Sequence, residues 1–139
     1  LRNLTSSVVK TPKLYWSDLG VLRHVTKQWG PLTGEQFETF VVCEVHKWCS
    51  TAGRDVDLRF YRTRSGMEVD LILRTEHGLI GIEIKHRSDV DRGDTKGLRT
   101  LAAELGDEWR GGLVVYTGSS LREIDAEARL WAMPVHRLL

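Results

Sequence analysis

Apolar residues recur along this chain in two rhythms, one near 3.6 residues and one of 2, and the change between them marks out the elements. From Gly34 to about Ser50, Phe37, Phe40, Val41, Glu44, Val45 and Trp48 fall at helical spacing, which predicts a helix. Thr33 stands at its N-cap with Gln36 three residues on, the pattern of a capping box. A shorter helix is predicted from Asp18 to Lys27, with Leu19, Leu22 and Val25 on one face. The loop WGPLTG, Trp29 to Gly34, carries strong breakers between the two. TAGRD, Thr51 to Asp55, ends the longer helix. A strand around Leu58 and Phe60 runs to about Arg62, and a turn at Arg64-Ser65-Gly66 follows. Two alternating strands come next, Glu68 to Arg74 and Leu79 to Lys85, joined by a turn within Glu76-His77-Gly78.

The alternation of these two strands constrains how they pair. Val69, Leu71 and Leu73 share one face of the first; Ile80, Ile82 and Ile84 share one face of the second. Both triplets are buried together only if odd positions pair with even ones. In that register Asp70 emerges on the face opposite the core triplets, together with Glu83 and Lys85. A two-residue turn at Glu76-His77 puts Asp70 across from Glu83; one at His77-Gly78 puts it across from Lys85.

Polar residues from His86 to Gly93 read as a loop. Asp94 is expected to cap a helix bearing Leu98, Leu101, Ala102 and Leu105 and ending at Gly106. GGLVVYTG, Gly111 to Gly118, reads as a buried strand. The tail holds Leu121 to Trp131 and then MPVHRLL, where Pro134 opens a short helix or strap. Residues 1 to 13 read as an extended arm, with Pro12 blocking helix. The core order is therefore helix, strand, strand, strand, helix, strand. It predicts an α/β fold with a mixed sheet flanked by helices.

Composition changes this picture only at the margins. At 139 residues, with 41% hydrophobic and 28% charged, the chain has the profile of one soluble domain. No apolar run approaches the roughly 20 residues that span a bilayer, so no membrane partner is expected. The net charge of +1 lacks the basic footprint of a dedicated DNA-binding domain, although an acidic metal site offsets a basic rim. Cys43 and Cys49 fall on one predicted helix, about 9 Å apart along its axis, too far for a disulfide. A reduced, cytoplasmic setting is expected. The chain begins at Leu1, and its opening reads like the tail of something earlier. Residues 1–30 are expected to be an arm and short helix left from a preceding module, and 31–139 the domain itself.

An acidic residue opening a strand, followed across a turn by Glu-X-Lys, is a recipe for a divalent-metal phosphodiesterase site. Mg²⁺ takes oxygen ligands and keeps several waters, so one or two carboxylates plus a substrate phosphate suffice. Glu83 and Lys85 are two apart and project to one side. Asp70 and Glu83 would hold Mg²⁺ or Mn²⁺, and Lys85 would orient or help deprotonate the attacking water.

The segments YRTRSGMEVDLIL, GIEIK, KGLRTLAAELGD and GGLVVYTG resemble the C-terminal domain of a large bacterial and archaeal family of AAA-type ATPases. KLYWSDLGVL and GEQFETFVVCEVHKW match the same family, so the resemblance covers nearly the whole chain. That domain is similar in fold to the PD-(D/E)XK nucleases, which include restriction endonucleases and Holliday-junction resolvases. The resemblance implies a restriction-endonuclease-like core, DNA as substrate and an upstream ATPase domain of the same polypeptide as partner. It also implies that a glutamate of the first core helix joins the metal site. Glu38 in GEQFE matches that position, with Glu44 the weaker candidate. No G-x-x-x-x-G-K-[ST] occurs in this chain, so ATP binding by that route is absent from it.

Plainer readings stand beside these. Asp70, Glu83 and Lys85 also describe a solvated hairpin face with a cross-strand ion pair worth about 0.2–1 kcal/mol. Glu38 also suits the first turns of its helix, where a carboxylate complements the dipole, and Glu44 suits burial beside a basic partner. His86 faces away from the site, and Cys43, His46 and Cys49 lack the second pair that a zinc site needs. Arg59, Arg62, Arg64, Arg87, Arg92, Lys96 and Arg99 form either a phosphate-facing surface or a solvated one. The tryptophans serve the core or the surface that docks the missing domain. Two functions follow: a metal-dependent nuclease coupled to an ATPase motor, or a non-catalytic scaffold of that ATPase that keeps the nuclease fold.

Overall fold

Asp18 opens the first helix, α1 (Leu19–Thr26), by accepting from the Val21 amide at 3.0 Å, and Lys27 closes it in the left-handed region at φ 57°. Leu19 and Leu22 are half-buried, but Val25 is exposed, so the apolar face is narrower than expected. Thr33 caps α2 (Gly34–Thr51) through the foreseen box: its hydroxyl accepts from the Gln36 amide at 3.2 Å, and the Gln36 side chain accepts from the Thr33 amide at 3.3 Å. Phe37, Val41, Val45 and Cys49 form the buried stripe, while Trp48 stays outside it, 53% exposed. The computed structural model describes residues 14–53, 56–62 and 66–139. The arm over residues 1–13, Arg54 and Asp55 of the break, and Arg64-Ser65 of the first turn lie outside the described residues.

Six strands make one mixed sheet: β1 (Asp57–Arg62), β2 (Glu68–Thr75), β3 (Gly78–Lys85), β4 (Trp109–Tyr116), β5 (Arg122–Asp125) and β6 (Leu130–Pro134), in the order β1-β2-β3-β4-β6-β5. β1, β2 and β3 run antiparallel in a meander. The chain then crosses through α3 (Lys96–Leu105) and returns as β4, parallel to β3. β6 enters beside β4, again parallel, and β5 pairs antiparallel on its far side. The expected order is present with two strands added. From sequence, β5 and β6 fall in an undivided tail, because each is short and neither alternates cleanly in hydropathy. Pro134 ends β6 and the chain closes in a 3-10 turn, Val135–Leu138.

Each face of the sheet is covered by one of the longer helices. On one side, Phe37, Val41 and Val45 of α2 pack on Leu71, Leu73, Ile82, Ile84 and Val115. On the other, Leu98 and Leu101 of α3 pack on Val69, Ile72, Trp109, Val114 and Leu130. Of the five tryptophans, Trp109 is in the core at 2% exposure, its indole donating to the Ala128 carbonyl at 2.8 Å. Trp16, Trp29, Trp48 and Trp131 are all at least 39% exposed.

Two expectations are corrected. Asp94 does not cap α3. Asp91 instead caps a 3-10 turn, Arg92–Thr95, that leads into the helix, and Asp94 completes that box by accepting from the Asp91 amide at 2.9 Å. Nor does Val69 share a face with Leu71 and Leu73. Arg59 pairs with Ile72 and Tyr61 with Val69, so β2 carries one more residue than β1 over this interval. That bulge, at Asp70–Leu71, turns Val69 to the α3 side.

Glycine permits the close approach of α3 to β2. A methyl group at Gly97 would lie 2.7 Å from the Glu68 backbone oxygen. In an open helix Gly→Ala gains about 1 kcal/mol; here the overlap reverses the sign. Gly97→Ala is expected to destabilise the protein by roughly 1–3 kcal/mol, measured by urea unfolding.

Tyr61 ties β1 to α3 by donating to Glu104 at 2.8 Å. Burial, and then the adjoining carboxylate, push its hydroxyl from 10.0 up to about 12. The folded state therefore favours the protonated phenol. That stabilisation is complete below pH 10 and is lost as the pH rises through about 12. Unfolding free energies measured from pH 9 to 12 are expected to fall less steeply in Tyr61→Phe than in the wild type.

Candidate functional site

The β2–β3 register settles which turn joins the strands. Leu71 pairs with Ile82, Leu73 with Ile80 and Thr75 with Gly78, so the turn is Glu76-His77. The paired register ends at Leu71 and Ile82, so that Asp70 and Glu83 are the next residue on each strand beyond it. Asp70 stands at the bulge, and its carboxylate accepts from the Ile84 amide at 2.7 Å. Its side chain thus reaches across to the neighbouring strand beside Glu83 and Lys85.

Lys85 donates to Glu83 Oε1 at 2.8 Å, with the lysine side chain 32% exposed and the glutamate 12%. Burial by itself would lower the lysine pKa. The hydrogen bond and charge of Glu83, with the charges of Asp70 and Asp94, outweigh it and raise the group above ordinary lysine. Lys85 is therefore an ammonium at neutral pH. It can orient an anion or a water, but it is poorly suited to taking a proton.

Glu38 lies in the first turns of α2, half-buried, and accepts a hydrogen bond from the Tyr15 hydroxyl at 2.6 Å. Burial, followed by Glu38, Asp70 and Glu68, raises the Tyr15 pKa well above that of a free phenol. The phenol is thus held protonated against the Glu38 carboxylate. Sequence reasoning passed over Tyr15, because nothing in KLYW distinguishes this aromatic from a core residue.

The other candidates fall away from this cluster. Glu44 pairs with Lys47 on α2 at 2.8 Å, and His86 stacks on Phe37 at 4.9 Å. Cys43 and Cys49 are free thiols. Arg59, Arg62, Arg87 and Arg92 pair with Asp57, Glu68, Asp94 and Asp125. They read as a charge-balanced surface rather than a row of cations awaiting phosphate.

The donor set is carboxylate throughout, which suits a hard divalent cation and not zinc. Among the described residues, no three Asp, Glu, His or Cys side chains are gathered closely enough to hold a metal between them. Asp70 and Glu83 supply the one or two carboxylates that magnesium requires beyond water and phosphate. A cleft of about 1020 Å³ lies on the α2 face of the sheet. It is lined by Trp48, Leu73, Ile80, Ile82, Leu113 and Met133 and extends to the Glu76-His77 turn, starting about 10 Å along β2 from Asp70.

Together these features define a mixed α/β domain, compatible with a restriction-endonuclease-like core, that presents Asp-…-Glu-X-Lys on its central hairpin. Residues 33–138 match the family described as a domain of unknown function, DUF4143, and the chain belongs to that family. A UPF0102 protein of Aeromonas hydrophila subsp. hydrophila is 31% identical over 80 residues, covering 53% of this chain and 58% of that protein. The match therefore spans less than two thirds of the relative. Among the described residues no helix is long and apolar enough to cross a membrane.

Glu83 is the main counter-charge of Lys85. In Glu83→Gln, burial acts on the ammonium with less opposition, so the Lys85 pKa is expected to fall below its wild-type value. A ¹³Cε NMR titration of lysine-labelled protein reads that change directly.

Proposed function

We propose that this domain is a divalent-metal-dependent phosphodiesterase acting on DNA, the C-terminal nuclease-like part of an AAA-type ATPase. The observation that carries the reading is the cross-strand set: Asp70 bonded to the Ile84 amide, and on the same strand as Ile84 the Glu83 carboxylate paired with the Lys85 ammonium. Asp70 and Glu83 would hold Mg²⁺ or Mn²⁺; Glu38, the α2 carboxylate that the family resemblance adds, is not gathered with them closely enough to make a third ligand. Bound there, the metal would act as a Lewis acid and a source of hydroxide. Lys85 would orient the scissile phosphate and offset its charge. The Ile84 amide fixes the Asp70 carboxylate, so that less side-chain freedom is lost on binding a cation. The upstream ATPase module of the same polypeptide is the proposed partner, in the cytoplasm.

A second reading is favoured by the Glu83–Lys85 pair itself, which already satisfies part of the site, and by the lack of a ready three-donor group among the described residues. On that reading the domain is a scaffold or interaction module of the ATPase. The two readings part on one variant. If the first holds, Asp70→Asn lowers Mn²⁺ affinity at least tenfold by calorimetry and abolishes Mn²⁺-dependent cleavage of linear, branched or single-stranded DNA. Equal Mn²⁺ affinity in the variant and the wild type would sink the metal site and leave the scaffold.

A further inference from the structure

A pocket of about 330 Å³ lies between α3 and the turn that joins β5 to β6, and none of its lining residues belongs to the β2–β3 hairpin. That volume is at the lower end for small-ligand sites. Three arginines line it: Arg92, Arg99 and Arg129. Each is anchored from behind. Arg92 donates through Nε to Asp125 at 3.2 Å, and Asp125 is only 9% exposed. Arg99 donates through Nε to the Thr95 hydroxyl at 3.2 Å; Thr95 is fully buried and itself donates to the Arg92 carbonyl at 2.7 Å. Arg129 donates through one terminal nitrogen to the Trp109 carbonyl at 2.8 Å.

The three differ in what remains to them. Arg92 is neutralised by Asp125, whose other oxygen accepts from the Ala128 amide at 3.0 Å. Among the described residues, no carboxylate lies within ion-pair distance of Arg99 or Arg129. Glu127, the other lining carboxylate, stands exposed at the rim. Bonded at Nε, Arg99 keeps both terminal nitrogens; Arg129 keeps Nε and one terminal nitrogen. A guanidinium grips phosphate through two parallel N–H bonds, and each of these retains donors for that. Side chains already fixed lose little freedom on binding. The carbonyl end of α3 brings about half a negative charge to the pocket, less than one guanidinium offsets. Arg129 also holds its backbone at φ 55°, which glycine or asparagine adopts more easily, so the turn itself does not call for arginine. We propose that this pocket binds a phosphate group, ester or free, gripped by Arg99 and Arg129, with the Arg92–Asp125 pair as its wall. The site stands independently of the metal-site reading.

¹⁵Nε NMR of the arginine side chains in the full 139-residue chain, titrated with inorganic phosphate against chloride of equal ionic strength, reads occupancy directly. Saturable shifts of Arg99 and Arg129 are expected. Arg99→Gln and Arg129→Asn each remove one cation, and asparagine tolerates the positive φ. Both are expected to keep the wild-type circular dichroism and to weaken phosphate by about tenfold. Arg137→Gln, at an exposed arginine of the last 3-10 turn, is expected to leave binding unchanged. The same variants titrated with a fluorescein-labelled single-stranded oligonucleotide distinguish the source. If the phosphate belongs to a strand, each pocket variant lowers the slope of log affinity on log salt by about 0.7. An unchanged slope with weakened inorganic phosphate assigns a small phosphate ligand. The wild-type resonances decide the site even where a variant fails to fold: no saturable shift with either probe overturns the proposal. An equal loss in Arg137→Gln, or a loss in only one of the two pocket variants, overturns it too.

Discussion

The pairing of Leu71 with Ile82 and of Leu73 with Ile80 is the constraint on which the rest of the molecule depends. Burying each such side chain is worth about 1.5–3 kcal/mol, whereas a cross-strand ion pair brings about 0.2–1 kcal/mol. A one-residue slip would turn the aliphatic set away from α2 and lose far more than any gain among charges. The carboxylates are therefore placed by the aliphatic residues between them. The aliphatic pairing brings Asp70 to the Ile84 amide, next to Glu83 on β3.

The bulge in β2 refines that placement. It lets Val69 pack under α3 while Leu71 and Leu73 pack under α2, and it leaves Asp70 at the point of transition. The Ile84 amide fixes the carboxylate there. The close seat of α3 over Glu68, open because residue 97 is glycine, holds the same end of the hairpin from the other side. The two ends of the hairpin thus differ in chemistry. One gathers carboxylates and an ammonium; the other opens on a largely apolar cleft.

Charge is nearly balanced across the chain, with a net of +1, and the structure balances it locally as well. Four of the arginines flagged from sequence each meet a carboxylate. Exposed pairs of this kind contribute little to stability. Lys85 differs from these arginines because it is half-buried and faces several carboxylates at once.

Local pattern by itself determined the capping box at Thr33, most of the stripe of α2 and the succession of β1, β2 and β3; the meeting of Asp70 with Glu83 and Lys85 it offered only as an expectation. Each rests on spacing of 2 or 3.6 residues, or on a contact no more than a turn away. Pattern gave both possible hairpin turns, and only the folded register chose Glu76-His77. The tertiary structure alone decided the bulge, because an extra residue in β2 becomes visible only against β1. It also decided β5 and β6, whose short stretches gain their hydrogen bonds from a parallel neighbour supplied after a crossover. Tyr15 belongs with these. It is 23 residues from Glu38, and no periodicity spans that gap; only packing on Phe60 brings its hydroxyl to the carboxylate.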